Sequence, residues 1–202
     1  MYRYKKLMVC LNLDEHDRYL VKYSGFISRM TRSQEVLFVY VYDSFDIPEE
    51  IRKIYPQLYS PPEEMVKKQM QKIVAEHFNG NEETAVLFKS MEGPQLDMLI
   101  SCTKNYDIDL LIVGHHPDDS AGFNWLAEKL ARKAFCSLLV IPSNTTAYFD
   151  KILVAVDFSD YSLNALDVVS ALKGLIRTTH KPLLAVKEKG QGLNILEAFT
   201  SQ

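Results

Sequence analysis

The chain has 202 residues, of which 47% are hydrophobic and 24% charged, fractions typical of a globular protein with a buried core. Its net charge of −3 provides no basic surface, which argues against nucleic acid or an anionic membrane as the main partner. No apolar run approaches the roughly 20 residues that a membrane-spanning helix needs. Cys10, Cys102 and Cys136 stand in apolar contexts without CxxC spacing, so we predict buried, reduced thiols in a cytoplasmic protein.

Strands and helices are predicted to alternate from the start of the chain. Short apolar or β-branched runs predict strands at Lys6–Leu11 and at residues 36–42, 84–90, 110–113 and 138–141. Apolar residues at helical spacing predict helices at residues 14–30, 62–78, 93–105 and 125–135. This alternation predicts an α/β fold with an open, parallel, five-stranded sheet of Rossmann-like order 3-2-1-4-5.

Two of the predicted helices carry more specific expectations. Asp14 or Asp17 is expected to cap the start of the first helix. In the second helix, the residues expected to face inward are Met65, Met70, Ile73, Val74 and His77.

The chain then repeats its beginning. Residues 151–160 align with residues 6–15 without a gap, at a constant offset of 145, and with a two-residue slip the run at residues 183–186 aligns with residues 36–39. Such a repeat predicts two domains, a complete one at residues 1–147 and a partial second copy at residues 148–202 with only a β-α-β start. Because two strands and a helix bury too little surface to stand alone, we expect the second unit to pack on the first or on another chain.

Three segments resemble the universal stress protein family. The first is the strand at residues 151–156 followed by Asp157-Phe-Ser-Asp, the second is Asp109-Leu-Leu-Ile-Val-Gly, and the third runs from Ala127 to Ile141. The resemblance covers the whole first unit and about the first third of a second. It implies a tandem universal stress protein whose sheet is that of the adenine nucleotide alpha hydrolase-like proteins.

The resemblance also implies where a nucleotide would bind. Many members of the family hold ATP on a loop that reads Gly, two residues, Gly, nine residues, Gly, then Ser or Thr, where backbone N–H groups and a helix N-terminus contact phosphate. Here Gly114 keeps the first position, but Pro117, which lacks an N–H group, replaces the second glycine. Asn124 and Trp125 stand where the family has Gly and Ser, and the acidic side chains of Asp118 and Asp119 repel phosphate.

The family's first strand usually ends in an Asp that holds the nucleoside. That position is Asn12 in the first unit and Asp157 in the second, and the second unit contains no phosphate loop. The nucleotide positions implied for this chain are therefore Asn12, Gly114, Asn124, Trp125 and Asp157. Because most of the loop pattern is lost, we expect a degenerate nucleotide site and no bound cofactor. The ligand that the family resemblance implies for such a site is ATP.

Two other polar groupings have less specific spacing. His115, His116, Asp118 and Asp119 could form a metal cluster at the end of the fourth strand, although a solvated polar loop explains the same residues. His16 with Asp14 and Asp17 could face the same crevice, but no nucleophile with a defined partner accompanies them.

The leading hypothesis is a non-catalytic, cytoplasmic universal stress protein that takes part in stress response by association. The resemblance implies a homodimer paired through residues 138–141, with no nucleic acid and no membrane as partner. One alternative is a switch that binds ATP or AMP, and a second is a metal-dependent hydrolase that uses the loop at residues 115–119.

Overall fold

The computed structural model of the protein describes residues 4–42, 53–54, 63–115, 125–142 and 183–185. The strands are β1 (Lys6–Leu11), β2 (Glu35–Tyr42), β3 (Ala85–Glu92), β4 (Leu110–His115), β5 (Ser137–Pro142) and β6 (Leu183–Ala185). The four long helices are α1 (Asp17–Thr31), α2 (Glu63–His77), α3 (Gln95–Asn105) and α4 (Trp125–Lys133). None of the helices in the described ranges has the length and apolar composition needed to cross a membrane.

The predicted strand order is confirmed. The sheet has the order β3-β2-β1-β4-β5-β6, and its first five strands are parallel. Val9 at the centre of β1 is in register with Phe38 of β2 on one side and Ile112 of β4 on the other. The sixth strand differs from the rest, because β6 runs antiparallel to β5 and pairs Leu183–Ala185 with residues 138–140.

Alternate side chains of the strands enter two separate apolar cores, because successive residues of a strand point to opposite faces of the sheet. Helices α1 and α2 cover the face that bears Leu7, Val9 and Leu11. Helices α3 and α4 cover the opposite face, where Met8 and Cys10 lie. The three cysteines are buried, as predicted, with exposed fractions between 1% and 4%.

Two local expectations were wrong. Met65 is 60% exposed, because the buried side of α2 is the row Val66, Met70 and Val74. The residue before α1 is His16, which makes no side-chain cap, and Asp17 is the first helical residue.

Pairing between copies through β5 was implied by the resemblance, but this edge is already occupied in the chain. β6 of the same chain pairs with three of the six residues of β5. A second copy can pair with residues 138–140 only if β6 leaves. Apart from β6, the proposed second unit lies outside the described residues.

The amino-terminal ends of β1 and β4 are joined by a side chain. Asp109, the residue before β4, accepts hydrogen bonds on Oδ2 from the backbone N–H groups of Lys5 and Lys6, each at 2.9 Å. This contact links the starts of the two central strands. Because these strands are parallel neighbours, their carboxyl ends also lie side by side, at the far end of the strands.

Candidate functional site

A small pocket lies at the carboxyl ends of β1 and β4. Asn12 follows the last residue of β1, Gly114 is the fifth residue of β4, and both line this pocket. β1 and β4 are neighbouring parallel strands, and ligands of open α/β sheets bind at this kind of edge. The structure therefore brings together two of the five residues at the predicted nucleotide positions.

The remaining walls come from α1 and from β4 and β5. His16 comes directly before α1, whereas Asp17, Tyr19 and Leu20 belong to its first turn, and His115 is the last residue of β4. Ile141 and Pro142, at the end of β5, complete the lining. Tyr19, Leu20, Ile141 and Pro142 were not predicted as site residues, although Ile141 and Pro142 stand at the end of a strand next to β4, which was a usable signal.

Asp17 organises the polar side of the pocket. Its carboxylate reaches back from the first turn of α1 and accepts two backbone N–H groups, that of Asn12 at 3.1 Å and that of Leu13 at 2.7 Å. The side chain of Asp14 accepts the backbone N–H of His16 at 2.8 Å. These bonds fix the conformation of the segment between β1 and α1.

The Asp17 carboxyl is only 2% exposed, and its environment changes its acidity. Burial raises the pKa of Asp17 to about 6, and the N–H groups of Asn12 and Leu13 oppose part of that increase. Burial also raises the pKa of the Cys10 thiol to about 12, with a further contribution from the Asp17 charge. Cys10 is therefore an un-ionised thiol in the core on the α3–α4 face of the sheet, outside the lining of the pocket, rather than a nucleophile.

The backbone conformation at position 114 does not require a glycine. Its φ is not positive, and an added Cβ would meet only the Cδ2 of Leu20, at 3.9 Å. The missing side chain leaves open space on the strand where it faces Leu20 and the pocket. A glycine here is suited to the close approach of another group to the backbone.

The other predicted positions lie elsewhere. Trp125 is the first residue of α4, is 60% exposed and does not line the pocket. Asn124 and Asp157 fall outside the described residues, as do Pro117 and the three further members of the proposed metal cluster, His116, Asp118 and Asp119. Among the residues that are described, no group of three or more His, Cys, Asp or Glu side chains is placed to hold a metal ion.

Comparisons with known proteins identify the family. Residues 3–142 match the model of the universal stress protein family. No curated protein matches the chain.

Three solved structures illustrate the fold likeness. A universal stress protein from Archaeoglobus fulgidus has 14% identity and a TM-score of 0.63, over 86% of this chain and 64% of that one. The universal stress protein UspA from Lactobacillus plantarum has 15% identity and a TM-score of 0.54, over 71% of this chain and all of that one. A universal stress protein in complex with cAMP has 15% identity and a TM-score of 0.50, again over 71% of this chain and all of that one.

These identities support the fold alone, whereas the family match covers more than two thirds of the 202 residues. Its limits enclose the five parallel strands and the pocket between Asn12 and Gly114. The chain belongs to the universal stress protein family.

Proposed function

We propose that the protein is a non-catalytic member of the family that acts in stress response by association, and that its pocket is a reduced nucleotide site that does not hold ATP. Family membership supports the role in stress response. The described residues that line the pocket include no serine, threonine, cysteine or lysine that could act as a nucleophile. We therefore assign the pocket no catalytic step.

The observation that carries this proposal is the position of Asp17. Its buried carboxylate already uses the backbone N–H groups of Asn12 and Leu13, which are the donors at the end of β1. A pKa of about 6 leaves the group mostly ionised at neutral pH, so it repels a phosphate group brought into the pocket. The described residues that line the pocket include no lysine or arginine to offset that charge.

Calorimetry with ATP at pH 7.5 tests the proposal directly. We expect no heat of binding and no rise in the melting temperature with ATP, because a ligand stabilises only the state that it binds. A micromolar affinity for ATP would overturn the proposal. In that event Asn12→Ala, which alters the pocket, and Lys104→Ala, on the exposed side of α3, would show whether the ligand lies between β1 and β4.

A nucleotide-binding switch is the second candidate. Two observations favour it: Asn12 and Gly114 line one pocket, and one structural relative is described in complex with cAMP. This candidate is a switch that binds ATP or AMP, and it predicts measurable affinity for at least one of ATP, AMP and cAMP, with AMP and cAMP bringing fewer phosphate charges towards Asp17. Titration of cAMP and AMP under the same conditions distinguishes the two candidates.

We also propose that residues 148–202 are a partial second domain that packs on the first. The pairing of β6 with β5 supports this arrangement, and the Archaeoglobus fulgidus structure matches a larger share of this chain than the family model does. Limited proteolysis of the full chain tests it. A packed second unit is cleaved no faster than the first, whereas rapid loss of everything after residue 148 would contradict it.

We propose that the protein is cytoplasmic and forms a homodimer, which the family resemblance implies. Because β6 occupies part of β5, we place the dimer contact away from residues 138–140. Light scattering of the wild type and of Leu184→Pro, which removes a backbone N–H from β6, tests this placement. A dimer in both proteins is expected, and a dimer only in Leu184→Pro would show that a second copy uses the β5 edge.

A further inference from the structure

The segment between β1 and α1, residues 12–16, is called here the β1–α1 turn. Its shape depends on a side chain outside it, the carboxylate of Asp17, which bonds the N–H groups of Asn12 and Leu13 at 3.1 and 2.7 Å. Bonds from two N–H groups to one ionised carboxylate are stronger than bonds to a neutral oxygen. The conformation of the turn therefore depends on the charge of Asp17.

Leu13 makes this dependence sharper. Its φ is 60°, in the left-handed region that a residue with a Cβ rarely adopts. The shorter of the two bonds from Asp17 is made to this residue. Weakening the bond removes a contact that holds Leu13 in an unfavourable conformation, so the turn gains freedom.

The same turn forms one side of the pocket. Asn12 and His16 line the pocket from the turn, and Asp17 lines it from the first position of α1. Gly114 and His115 face them from β4. A change in the turn therefore moves two side chains of the pocket while the strand opposite stays in the sheet.

Asp17 titrates in a range where its charge can change under mild conditions. Burial raises the pKa of its carboxyl to about 6, the N–H bonds from the turn oppose that rise, and the charge of Asp14 adds to it. The titratable groups around Asp17 in the described part of the chain are Asp14 and His16 on the turn, Cys10 on β1, Tyr19 on α1 and His115 on β4.

We propose that Asp17 is a pH-dependent latch for the pocket: its ionised carboxylate holds the β1–α1 turn, and protonation, with the side chain still buried, releases the turn together with Asn12 and His16. A buried carboxyl that has lost the N–H groups of the turn favours its protonated form more than one that keeps them, so acid shifts the turn towards the released state. The latch concerns the pocket of the proposed function, but it operates whatever the pocket binds. Mild acid therefore changes the shape of the pocket in a protein that remains folded.

Amide NMR spectra of the ¹⁵N-labelled full chain between pH 8 and pH 4.5 test the latch. The amide protons of Asn12 and Leu13 should move upfield together as pH falls, with a midpoint near 6, because a proton bonded to a carboxylate loses deshielding when the carboxylate is neutralised. The protection of the Leu13 amide against hydrogen exchange, corrected for the intrinsic pH dependence, should fall about tenfold over the same range.

Two variants separate Asp17 from its neighbours. Asp17→Asn should abolish both titrations, whereas Asp14→Asn should keep them and move the midpoint to lower pH, because Asp14 contributes to the raised pKa of Asp17. Titrations that persist unchanged in Asp17→Asn would belong to a different group and overturn the proposal.

If Asp17→Asn does not fold, the side-chain carboxyl ¹³C resonance of Asp17 in the wild type gives its midpoint directly. A midpoint near 4, or a flat response of the Leu13 amide while Asp17 titrates, would also refute the latch. No nucleotide is present in the samples for these measurements, so their outcome is independent of the calorimetry that tests the proposed function.

Discussion

Gly25 in α1 lies directly against the backbone of Asn79, two residues beyond the end of α2. A Cβ added at Gly25 would lie 2.8 Å from the nitrogen of Asn79 and 2.9 Å from its carbonyl carbon and oxygen. Real Cβ atoms essentially never approach backbone atoms so closely, and a backbone neighbour yields less easily than a flexible side chain. The two helices on this face of the sheet can pack as they do only because position 25 has no side chain.

Gly25→Ala should therefore destabilise the protein, although alanine is the better helix former by about 1 kcal/mol. We expect the overpacking to dominate and to lower the free energy of unfolding by about 1–3 kcal/mol. Urea denaturation measures the change. Gly114→Ala is the matched control, since its new Cβ meets only Leu20 at 3.9 Å, and its stability should change by less than about 0.5 kcal/mol. Equal losses in the two variants would contradict the account of Gly25.

The buried Asp17 should make stability depend on pH. Because folding raises the pKa of Asp17 from 3.8 to about 6, its contribution to stability is fully present below pH 3.8 and is lost as pH rises through about 6. The loss by pH 7 amounts to about 3 kcal/mol. The difference in unfolding free energy between Asp17→Asn and the wild type should therefore shift in favour of the variant as pH rises from 4 to 7. A difference that stays constant, or that shifts the other way, would refute this prediction.

Arg32, the residue after α1, offers a route to higher stability. Its φ of 50° and ψ of 51° are left-handed, and it lies at the C-cap, where its N–H contacts the carbonyl groups of Arg29 and Ser28. Arg32→Gly should raise the free energy of unfolding by about 1 kcal/mol, because glycine adopts this conformation without a steric penalty. Arg29→Gly, three residues earlier and inside the helix, should lower it by about 1 kcal/mol. Thermal unfolding of both variants measures the two changes in stability. Changes of the same sign in Arg32→Gly and Arg29→Gly would disprove the prediction.

Asp109 should contribute more to the free energy of unfolding than an ordinary acidic residue on the surface. Asp109→Ala deprives the N–H groups of Lys5 and Lys6 of their shared acceptor, and we expect a loss of about 1–3 kcal/mol in unfolding free energy. Asp97→Ala, at an exposed position in the first turn of α3, is the control and should cost at most about 0.5 kcal/mol. Comparable denaturation midpoints for the two variants would mean that the Asp109 contact contributes little.

Much of the fold could be predicted from the sequence because buried parallel strands have a clear local pattern. β1 begins and ends where the apolar run Lys6–Leu11 predicts, and the order of the first five strands follows from their alternation with helices. The direction of β6 could not be predicted, because a three-residue apolar strand pairs equally well in either direction. Met65 was assigned to the wrong side of α2, because an apolar residue in the first turn fits the helical period on either side of Val66.

The site was predictable only in part. Asn12 and Gly114 could be placed together, since each stands at the carboxyl end of a central strand. The role of Asp17 could not be predicted, because an acidic residue in the first turn of a helix is usually explained by its effect on the helix dipole. Its burial and its two bonds to Asn12 and Leu13 depend on how the chain turns after β1, and that path has no local signature.

The antiparallel β6 alters what the sheet offers to other molecules. Unpaired backbone groups at the side of a sheet can recruit further strands and start aggregation. On the β5 side, a segment more than 40 residues further along the same chain takes up part of that bonding capacity. Within the described ranges, the long unpaired side is β3, whose Lys89 donates its ammonium group to the Tyr106 hydroxyl at 2.7 Å. Among the described strands, the chain thus covers one side of its sheet with its own segment and leaves the backbone groups of the other side without a neighbouring strand.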